Sequence, residues 1–366
     1  MNELGIKIKV LRKRMNITQE DLAERLGVSF QAVSKWETNA AYPDISMFPV
    51  LANFFNVTTD ELLGVDLSKK KEKIAGIIAE YDRLSNLGKE KEKFDFISAA
   101  HREYPNDYRI LDKYICMLCY DPNHGNNGLL VHEEEILSLC NRILDECPED
   151  EPRYTALSVL SGLYREKGDI EKAIEYANKF PPYHFSREEG IELTYEQGSK
   201  EWWKSVRSNV HDLTEIMTVK IRNCAVYADL PPKERIQQFE KALDLLKVVY
   251  ENGDYGFAHA DLSVLNQLIA KRFIDLKDYK NAGKYLDIGL NHAKLYDELP
   301  SVTIHTSFLV KDYRFERSNV YSSYEGSKVK NELDFIDKDG FYNEVRDMDW
   351  FKDVVEKYRP YAKETK

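Results

Sequence analysis

The chain has 366 residues, of which 43% are hydrophobic and 31% are charged, and a formal net charge of −11. This length predicts two or three domains, and this composition excludes a disordered protein. A chain so acidic does not bind nucleic acid nonspecifically, because Lys and Arg contacts to phosphate supply that affinity. Any contact with DNA therefore has to come from a local basic surface.

The sequence shows no sign of export, membrane insertion or a disulfide framework. No apolar run reaches the length of about 18 residues that a transmembrane helix needs. The N-terminus alternates charged and apolar residues instead of forming the apolar core of a signal peptide. Five scattered cysteines, an odd number, do not suggest paired disulfides. We therefore expect a cytoplasmic protein without a membrane partner.

Residues 1–66 predict a compact domain of five short helices. The first is predicted from apolar residues at helical spacing, which are Leu4, Ile8, Leu11 and Met15. The residues that cap or end the later helices are Thr18 with Asp21, Gly27, Ser29, Thr58 with Glu61, and Gly64. Five of the seven basic residues of this otherwise acidic stretch gather in the first helix and are Lys7, Lys9, Arg12, Lys13 and Arg14, with Lys35 further on.

Residues 67–366 predict a second, longer domain that is also helical. Helical patterns of about 15–25 residues alternate with turns, and almost no strand is credible. The run SKKKEK at 68–73 predicts either a linker, over about 65–73, or the start of the next helix. Helices of this length with short turns between them predict stacked helical hairpins.

Two of these hairpins share a pattern. In each, an aromatic residue precedes a small alanine by nine positions, as Tyr164 precedes Ala173 and Phe273 precedes Ala282. The pattern is similar to the centre of the tetratricopeptide repeat but lacks its Trp and most of its glycines. The same spacing also occurs in other helical bundles. We predict a tetratricopeptide-like array whose C-terminal end is covered by the amphipathic segment 341–363.

The strongest functional signal is QEDLAERLGVSFQAVSKWET at 19–38. A pair of helices that reads DNA needs a small residue where the helices meet and a left-handed residue in the turn, and Ala23 and Gly27 meet these needs. It also needs inward apolar residues, and these are Leu22, Leu26, Val28, Val33 and Trp36. The outer face of the second helix has to be polar to enter the major groove, and here it carries Ser29, Gln31, Ser34 and Lys35.

This stretch resembles the helix-turn-helix of the phage repressor and Cro type, also called the xenobiotic-response-element family. The resemblance extends over residues 1–65 and implies a five-helix domain like that of lambda repressor. It implies a bacterial transcriptional regulator that binds double-stranded DNA, at an operator with an inverted repeat, as a homodimer. The fold class is thus all-α, with this DNA-binding domain at 1–66 and the tetratricopeptide-like sensor or dimerisation domain at 67–366.

The resemblance also implies roles for single residues. Gln19 would contact phosphate and brace the recognition helix, and Ser29, Phe30, Gln31 and Lys35 would lie nearest the bases. Gln31 could pair with adenine through two hydrogen bonds, and Lys35 could donate to O6 and N7 of guanine. Phe30 departs from the polar or basic residue usual at its position and would contact a thymine methyl or the sugar edge. The other DNA-binding residues implied are Ser34, Thr38, Asn39, Arg12, Lys13 and Arg14. Arg12 is also expected to pair with Glu37.

The second domain has a less specific resemblance. Some regulators of Gram-positive type join this DNA-binding domain to a tetratricopeptide-like sensor, and some of these bind short peptides. A peptide, small molecule or protein is therefore a possible ligand of the helical domain. From the repeat pattern, we expect Ser158, Arg165, Gln267 and Lys271 on its concave side. Each of them is also compatible with ordinary solvated surface.

No motif predicts an enzyme or a cofactor. A nucleophile elbow, a phosphate-binding loop and a dinucleotide fingerprint are all missing from the sequence. Cys116 and Cys119 form a CxxC in an apolar helical run, where cysteine is usually a small core residue. A zinc site that joins them to His124, His132 or Cys140 lacks a second tight pair, and we predict no metal. The alternative function is a protein-interaction adaptor with a vestigial DNA-binding module.

Overall fold

The computed structural model describes residues 4–63, 67–124, 127–319 and 324–364. The chain divides into two compact units, Met1–Ala79 and Glu80–Lys366. In the described parts of both units, no helix has the combination of length and hydropathy that crossing a lipid bilayer requires.

Short helices form the first unit in the order that the sequence predicts. Their bounds are α1 Leu4–Arg14, α2 Gln19–Leu26, α3 Phe30–Glu37, α4 Met47–Phe55 and α5 Thr59–Leu62, followed by the longer α6 Leu67–Asn86. The hydroxyls of Thr18, Ser29 and Thr58 cap α2, α3 and α5 by accepting hydrogen bonds from backbone N–H groups. Gly64, the predicted end of the fifth helix, lies outside the described residues.

The core of the first unit contains the predicted apolar residues with one exception. Its fully buried members come from α1 to α5 and are Leu4, Ile8, Leu11, Leu22, Ala23, Val33, Trp36, Leu51, Ala52, Phe55 and Leu62. The prediction for Met15 is wrong, since this side chain is 43% exposed. Helix α1 ends at Arg14, and Asn16 adopts a left-handed backbone with φ of 54°, so the chain leaves the helical path at that point.

The predicted linker over 65–73 falls on helix α6. Residues 65 and 66 lie outside the described residues, and from Leu67 onward the chain is helical. The lysine-rich run at 68–73 therefore opens a helix, which is the second of the two alternatives that the sequence left open. The boundary between the two units lies inside α6.

In its described ranges, the second unit is built from helices and one small hairpin of strands. The helices are α7 Glu90–Glu103, α8 Tyr108–Cys119, α9 Gly128–Val131, α10 Glu133–Glu146, α11 Asp150–Glu166, α12 Ile170–Ala177, α13 Arg187–Thr194, α14 Lys200–Tyr227, α15 Pro232–Val249, α16 His259–Asp275, α17 Tyr279–Glu298, α18 Lys328–Lys338 and α19 Asp349–Tyr358. Strands β1 Val302–Ile304 and β2 Arg314–Glu316 pair antiparallel, with Thr303 opposite Phe315. The all-α prediction is confirmed apart from this hairpin, whose three-residue strands are too short to show a period in the sequence.

The two hairpins that share a sequence pattern also share a construction. The rings of Tyr164 and Tyr176 stack with their centroids 5.6 Å apart between α11 and α12, and those of Phe273 and Tyr285 stack at 5.4 Å between α16 and α17. The corresponding alanine is buried in each hairpin, and Ala282 is fully inaccessible to solvent.

The turns of these hairpins match as well. A residue with positive φ, Gly168 in one and Lys277 in the other, precedes an aspartate. Asp169 and Asp278 then cap the second helix by accepting a hydrogen bond from the backbone N–H three residues later, at 3.1 Å in both. The sequence pattern thus corresponds to a repeated structural unit.

The C-terminal segment covers the second of these hairpins. Helices α18 and α19 pack against α17 and bury Leu333, Ile336, Phe351 and Val355 in one core with Leu286. The predicted covering role of the C-terminal segment is confirmed, although its helix is limited to Asp349–Tyr358.

Candidate nucleic-acid interface

Helix α3 presents a polar face to solvent and an apolar face to the core. Gln31 and Lys35 are exposed, whereas Val33 and Trp36 are 0% and 6% exposed. Because Gln31 and Lys35 are four residues apart, they lie on one side of the helix, one turn from each other. This outer face is solvent-exposed at both positions.

The turn before α3 has the geometry that a helix-turn-helix requires. Gly27 ends α2 in the left-handed region with φ of 65°, which an L side chain rarely adopts. At the start of α2, Thr18 and Asp21 form a reciprocal capping box. Hydrogen bonds from the backbone and hydroxyl of Thr18 lower the pKa of Asp21, so this carboxylate stays ionised at the positive end of the helix dipole.

A buried charged cluster fixes the far end of α3. Glu37, whose side chain is 1% exposed, accepts hydrogen bonds from Arg12 Nε at 2.5 Å and Arg12 Nη2 at 2.9 Å. Its second oxygen also accepts from Gln19 Nε2 at 2.7 Å. Burial raises the pKa of Glu37, but the hydrogen bonds from Arg12 and Gln19 and the charge of Arg12 lower it more. One carboxylate therefore joins α1, α2 and α3.

A close backbone contact fixes α1 against the same end of α3. A Cβ atom on Gly5 would lie 2.1 Å from the carbonyl oxygen of Trp36, so only glycine permits this approach. The backbone N–H of Gly5 donates to Oδ1 of Asn39 at 3.1 Å. No local sequence signal distinguishes Gly5, because a glycine within a helix does not by itself indicate a close contact with another helix.

The predicted DNA-binding residues fall into two groups. Those with exposed side chains are Ser29, Phe30, Gln31, Lys35, Thr38, Lys13 and Arg14, and Ser34 is half-buried beside them. Three others make internal contacts, since Gln19 binds Glu37, Asn39 binds Gly5, and Arg12 binds both Glu37 and the carbonyl of Ile17. The predicted pairing of Arg12 with Glu37 is confirmed. All three guanidinium nitrogens of Arg12 are engaged in these internal contacts, so Arg12 positions α3 through Glu37.

The predicted ligand-binding residues also separate into two groups. Ser158 and Arg165 line a cleft of about 540 Å³ beside α8 and α11. Gln267 and Lys271, which were predicted on the concave side of the array, are instead covered. Gln267 is 5% exposed, its Nε2 donates to Glu332 Oε2 at 2.9 Å, and Lys271 Nζ donates to Asp339 Oδ2 at 2.6 Å. Glu332 lies in α18 and Asp339 directly follows it, so α18 and its C-terminal end cover this part of α16.

Three of the five cysteines, Cys119, Cys140 and Cys147, are buried as core residues, whereas Cys116 is partly buried and Cys224 is exposed. Cys119 and Cys140 are buried, and Cys119 Sγ donates to the carbonyl oxygen of Ile115 at 3.1 Å. Burial raises the pKa of Cys116 to about 11, so it stays a thiol at neutral pH and is a poor metal ligand.

A larger cleft of about 1210 Å³ lies in the second unit, between α13, α14 and residues 311–314. Its lining contains three aromatic side chains, six basic ones and four acidic ones, which are Tyr195, Trp203, Tyr313, Arg187, Lys200, Lys204, Arg207, Lys311, Arg314, Glu188, Glu201, Asp212 and Asp312. The guanidinium of Arg207 lies over the rings of Trp203 and Phe308, at 4.9 and 5.8 Å from their centroids. Its Nε is buried and has no hydrogen-bond partner among the described residues.

An exposed polar helix, preceded by a left-handed glycine and braced by two supporting helices, defines the class of helix-turn-helix DNA-binding proteins. Residues 8–62 match the Helix-turn-helix family. The chain is 38% identical over 56 residues to an uncharacterised HTH-type transcriptional regulator, MJ0272 of Methanocaldococcus jannaschii, and this match covers 15% of the chain and 85% of the relative. The chain belongs to the family of helix-turn-helix transcriptional regulators.

Two further proteins are similar to the chain. The HTH-type transcriptional activator BcrR of Enterococcus faecalis is 36% identical over 137 residues, which is 37% of the chain and 57% of BcrR. The chain thus matches only a little over half the length of this relative. Bacillus thuringiensis PlcR, solved in complex with the peptide PapR7 and DNA, aligns over 80% of the chain and 95% of its own, with 16% identity and a TM-score of 0.29.

Proposed function

We propose that the protein is a sequence-specific transcriptional regulator that acts in the cytoplasm as a homodimer on an inverted-repeat operator. The observation that carries this proposal is the exposed polar face of α3, held in place by the buried cluster of Arg12, Gln19 and Glu37. A surface helix kept only for folding does not need a buried ion pair to fix its direction. The mechanism is binding without catalysis.

The side chains of α3 suit base recognition. Gln31 can donate to and accept from adenine through its amide, and Lys35 can donate to O6 and N7 of guanine. Phe30, 41% exposed at the first turn, suits contact with a thymine methyl. Lys13 and Arg14, exposed at the end of α1, suit phosphate.

The length of α3 supports the proposal of a dimer. Eight residues span about 12 Å, which allows contact with only a few base pairs. Two copies placed in successive major grooves, about 34 Å apart, would double the site and give useful specificity.

The first experiment is selection of fragments from the host genome by purified protein at about 150 mM salt, followed by sequencing. A recovered inverted repeat supports the regulator and reports the half-site spacing. Salt near the physiological value matters because phosphate contacts alone retain DNA at low ionic strength.

Variants at α3 then separate the regulator from the adaptor. Gln31→Ala is expected to weaken operator binding about 10- to 100-fold and to relax the preference at one base pair. Lys13→Ala should weaken binding to all sequences alike and lower the salt slope by about 1. Asn53→Ala, an exposed polar change on α4, is the control and should have no effect. A Gln31→Ala with Lys35→Ala double variant that regulates its genes normally would favour the adaptor.

We also propose that the cleft between α13 and α14 binds the ligand that controls this activity. Its volume suits a short peptide or a small molecule, and its aromatic walls suit apolar groups. Six basic side chains, Arg207 among them, line the cleft against four acidic ones, and this excess favours a ligand with a carboxylate or another anionic group. Such a ligand can change DNA binding only by favouring one arrangement of the dimer over another.

The ligand proposal is tested by thermal unfolding of the whole protein against short peptides and organic acids. Compounds that raise the midpoint should lose this effect in Arg207→Gln and keep it in Lys241→Gln, an exposed change on α15 outside the cleft. Retention of the shift in Arg207→Gln would place the ligand elsewhere.

A further inference from the structure

Three side chains with metal-binding atoms meet at the corner between α8 and α10. Oδ2 of Asp121 lies 2.7 Å from Nδ1 of His124 and 2.8 Å from Nε2 of His132. These three atoms all lie within 4.8 Å of one another. Asp121 is 2% exposed, whereas the side chains of His124 and His132 are 46% and 21% exposed. The cluster is therefore anchored on one side and open to solvent on the other.

The backbone holds this corner in place. Asp121 follows the end of α8, and its Oδ1 accepts hydrogen bonds from the backbone N–H and the amide of Asn123, at 2.8 and 2.9 Å. Gly128 opens α9 so close to α8 that a Cβ atom there would lie 2.3 Å from the carbonyl oxygen of Leu118. His132 stands between α9 and α10.

We propose that Asp121, His124 and His132 bind one divalent transition-metal ion, with Zn²⁺ as the best match. Two imidazoles and a carboxylate are suitable ligands for zinc, and a water molecule would complete the tetrahedron on the exposed side. The hydrogen bonds from Asn123 to the other carboxylate oxygen orient the ligand, as second-layer contacts do in metal sites.

The distances allow this ion with a small adjustment. Ligand bonds of about 2.0–2.1 Å place neighbouring ligand atoms about 3.3 Å apart in a tetrahedron. The present separations of 2.7 and 2.8 Å are shorter, so the two imidazoles have to move outward by about half an ångström. His124 is nearly half exposed and has room to do so.

In the sequence these histidines stand near a CxxC pair, a combination for which no metal site is predicted. Cys119 donates to the carbonyl of Ile115 in its own helix and is not part of the cluster. Asp121, the third ligand, has no sequence signal because its side chain reaches His132 only after α9 folds back on α8. Tyr120 and Cys119, which precede Asp121, line the 540 Å³ cleft, so a bound ion would also fix one wall of that cleft.

The test is titration of untagged, chelator-treated full-length protein with Zn²⁺ by calorimetry, and with Co²⁺ by visible absorption. We expect one ion per chain, a cobalt band typical of tetrahedral coordination, and a higher midpoint of thermal unfolding with zinc. Asp121→Asn and His132→Gln should each weaken binding at least tenfold. His101→Gln, a change in a histidine that stacks on Tyr114 in the same part of the unit, should bind zinc normally.

The variant His124→Gln distinguishes the loss of a metal ligand from a loss of zinc binding that is caused by misfolding. This half-exposed side chain can be replaced without disturbing a core, so a variant with an unchanged circular dichroism spectrum should still bind zinc at least tenfold more weakly. Unchanged affinity in His124→Gln and Asp121→Asn, or no binding at 100 µM zinc by the wild type, roughly a hundredfold above a micromolar Kd, would overturn the proposal. The three residues would then be a hydrogen-bonded brace only.

Discussion

The two matching hairpins of the second unit have the same internal construction but different surroundings. Ile174 on α12 is 53% exposed, whereas Gly283, the corresponding residue on α17, lies under the ring of Trp350 from α19. Ser158 on α11 is exposed beside a cleft, whereas Gln267, its counterpart on α16, is buried under α18. A repeat pattern therefore fixes how a hairpin folds, but the chain that follows decides which of its faces remain open.

The largest expected loss of folding stability comes from weakening the core between the second hairpin and the helices that cover it. Phe351, 5% exposed, packs in the core formed by α17, α18 and α19. Phe351→Ala should lower the free energy of unfolding by about 3–5 kcal/mol, because it removes apolar contacts and leaves a cavity. Ile174→Ala, on the uncovered hairpin, should change it by less than about 0.5 kcal/mol. Urea unfolding followed by far-ultraviolet circular dichroism measures both, and equal losses would contradict the difference in covering.

A smaller loss of folding stability is expected at Gln267, and almost none at Ser158, although the repeat pattern predicts equivalent positions for them. Gln267→Ala should cost about 1–3 kcal/mol, since it removes a donor from the buried carboxylate of Glu332. Ser158→Ala should cost almost nothing, because the exposed hydroxyl can be replaced without leaving a buried group unpaired. If the two changes cost the same in urea unfolding, Ser158 is covered in solution as well.

These two positions show where prediction from sequence succeeds and where it stops. Caps, turns and apolar spacing are local, so the helices of the first unit, Gly27 and the recognition face could be predicted. The pairing of Gln267 with Glu332 joins residues 65 positions apart, and no local signal reports it. The same holds for Asp121 and His132, which α9 brings together.

The ion pair of Lys271 with Asp339 gives the covering segment a pH dependence. Burial raises the pKa of Asp339, but the hydrogen bonds from Lys271 and from the backbone of Phe341, together with the charge of Lys271, lower it more. Because the folded pKa is below the unfolded value of about 3.9, this carboxylate stabilises the fold fully above pH 4 and less as the pH falls through the folded pKa.

Asp339→Asn should therefore cost about 1.5 kcal/mol at pH 7, near the low end for a charged hydrogen bond because both side chains are partly exposed. The difference from the wild type should shrink as the pH falls from about 4 toward 2. Urea unfolding of both proteins across this range measures it. A difference that stays constant with pH would mean that Asp339 acts through its shape and not through its charge.

The smallest expected loss of folding stability concerns the aspartate caps that the two hairpins share. Asp169→Ala and Asp278→Ala each remove a cap at the start of a second helix, with the same 3.1 Å hydrogen bond to the backbone N–H three residues later. Each should cost about 1 kcal/mol. The two costs should agree even though one hairpin is covered and the other is not, because the cap acts within its own turn. A much larger cost for Asp278→Ala in hydrogen exchange of α17 would show that the C-terminal segment depends on the turn as well, and that the two hairpins are less alike than their geometry indicates.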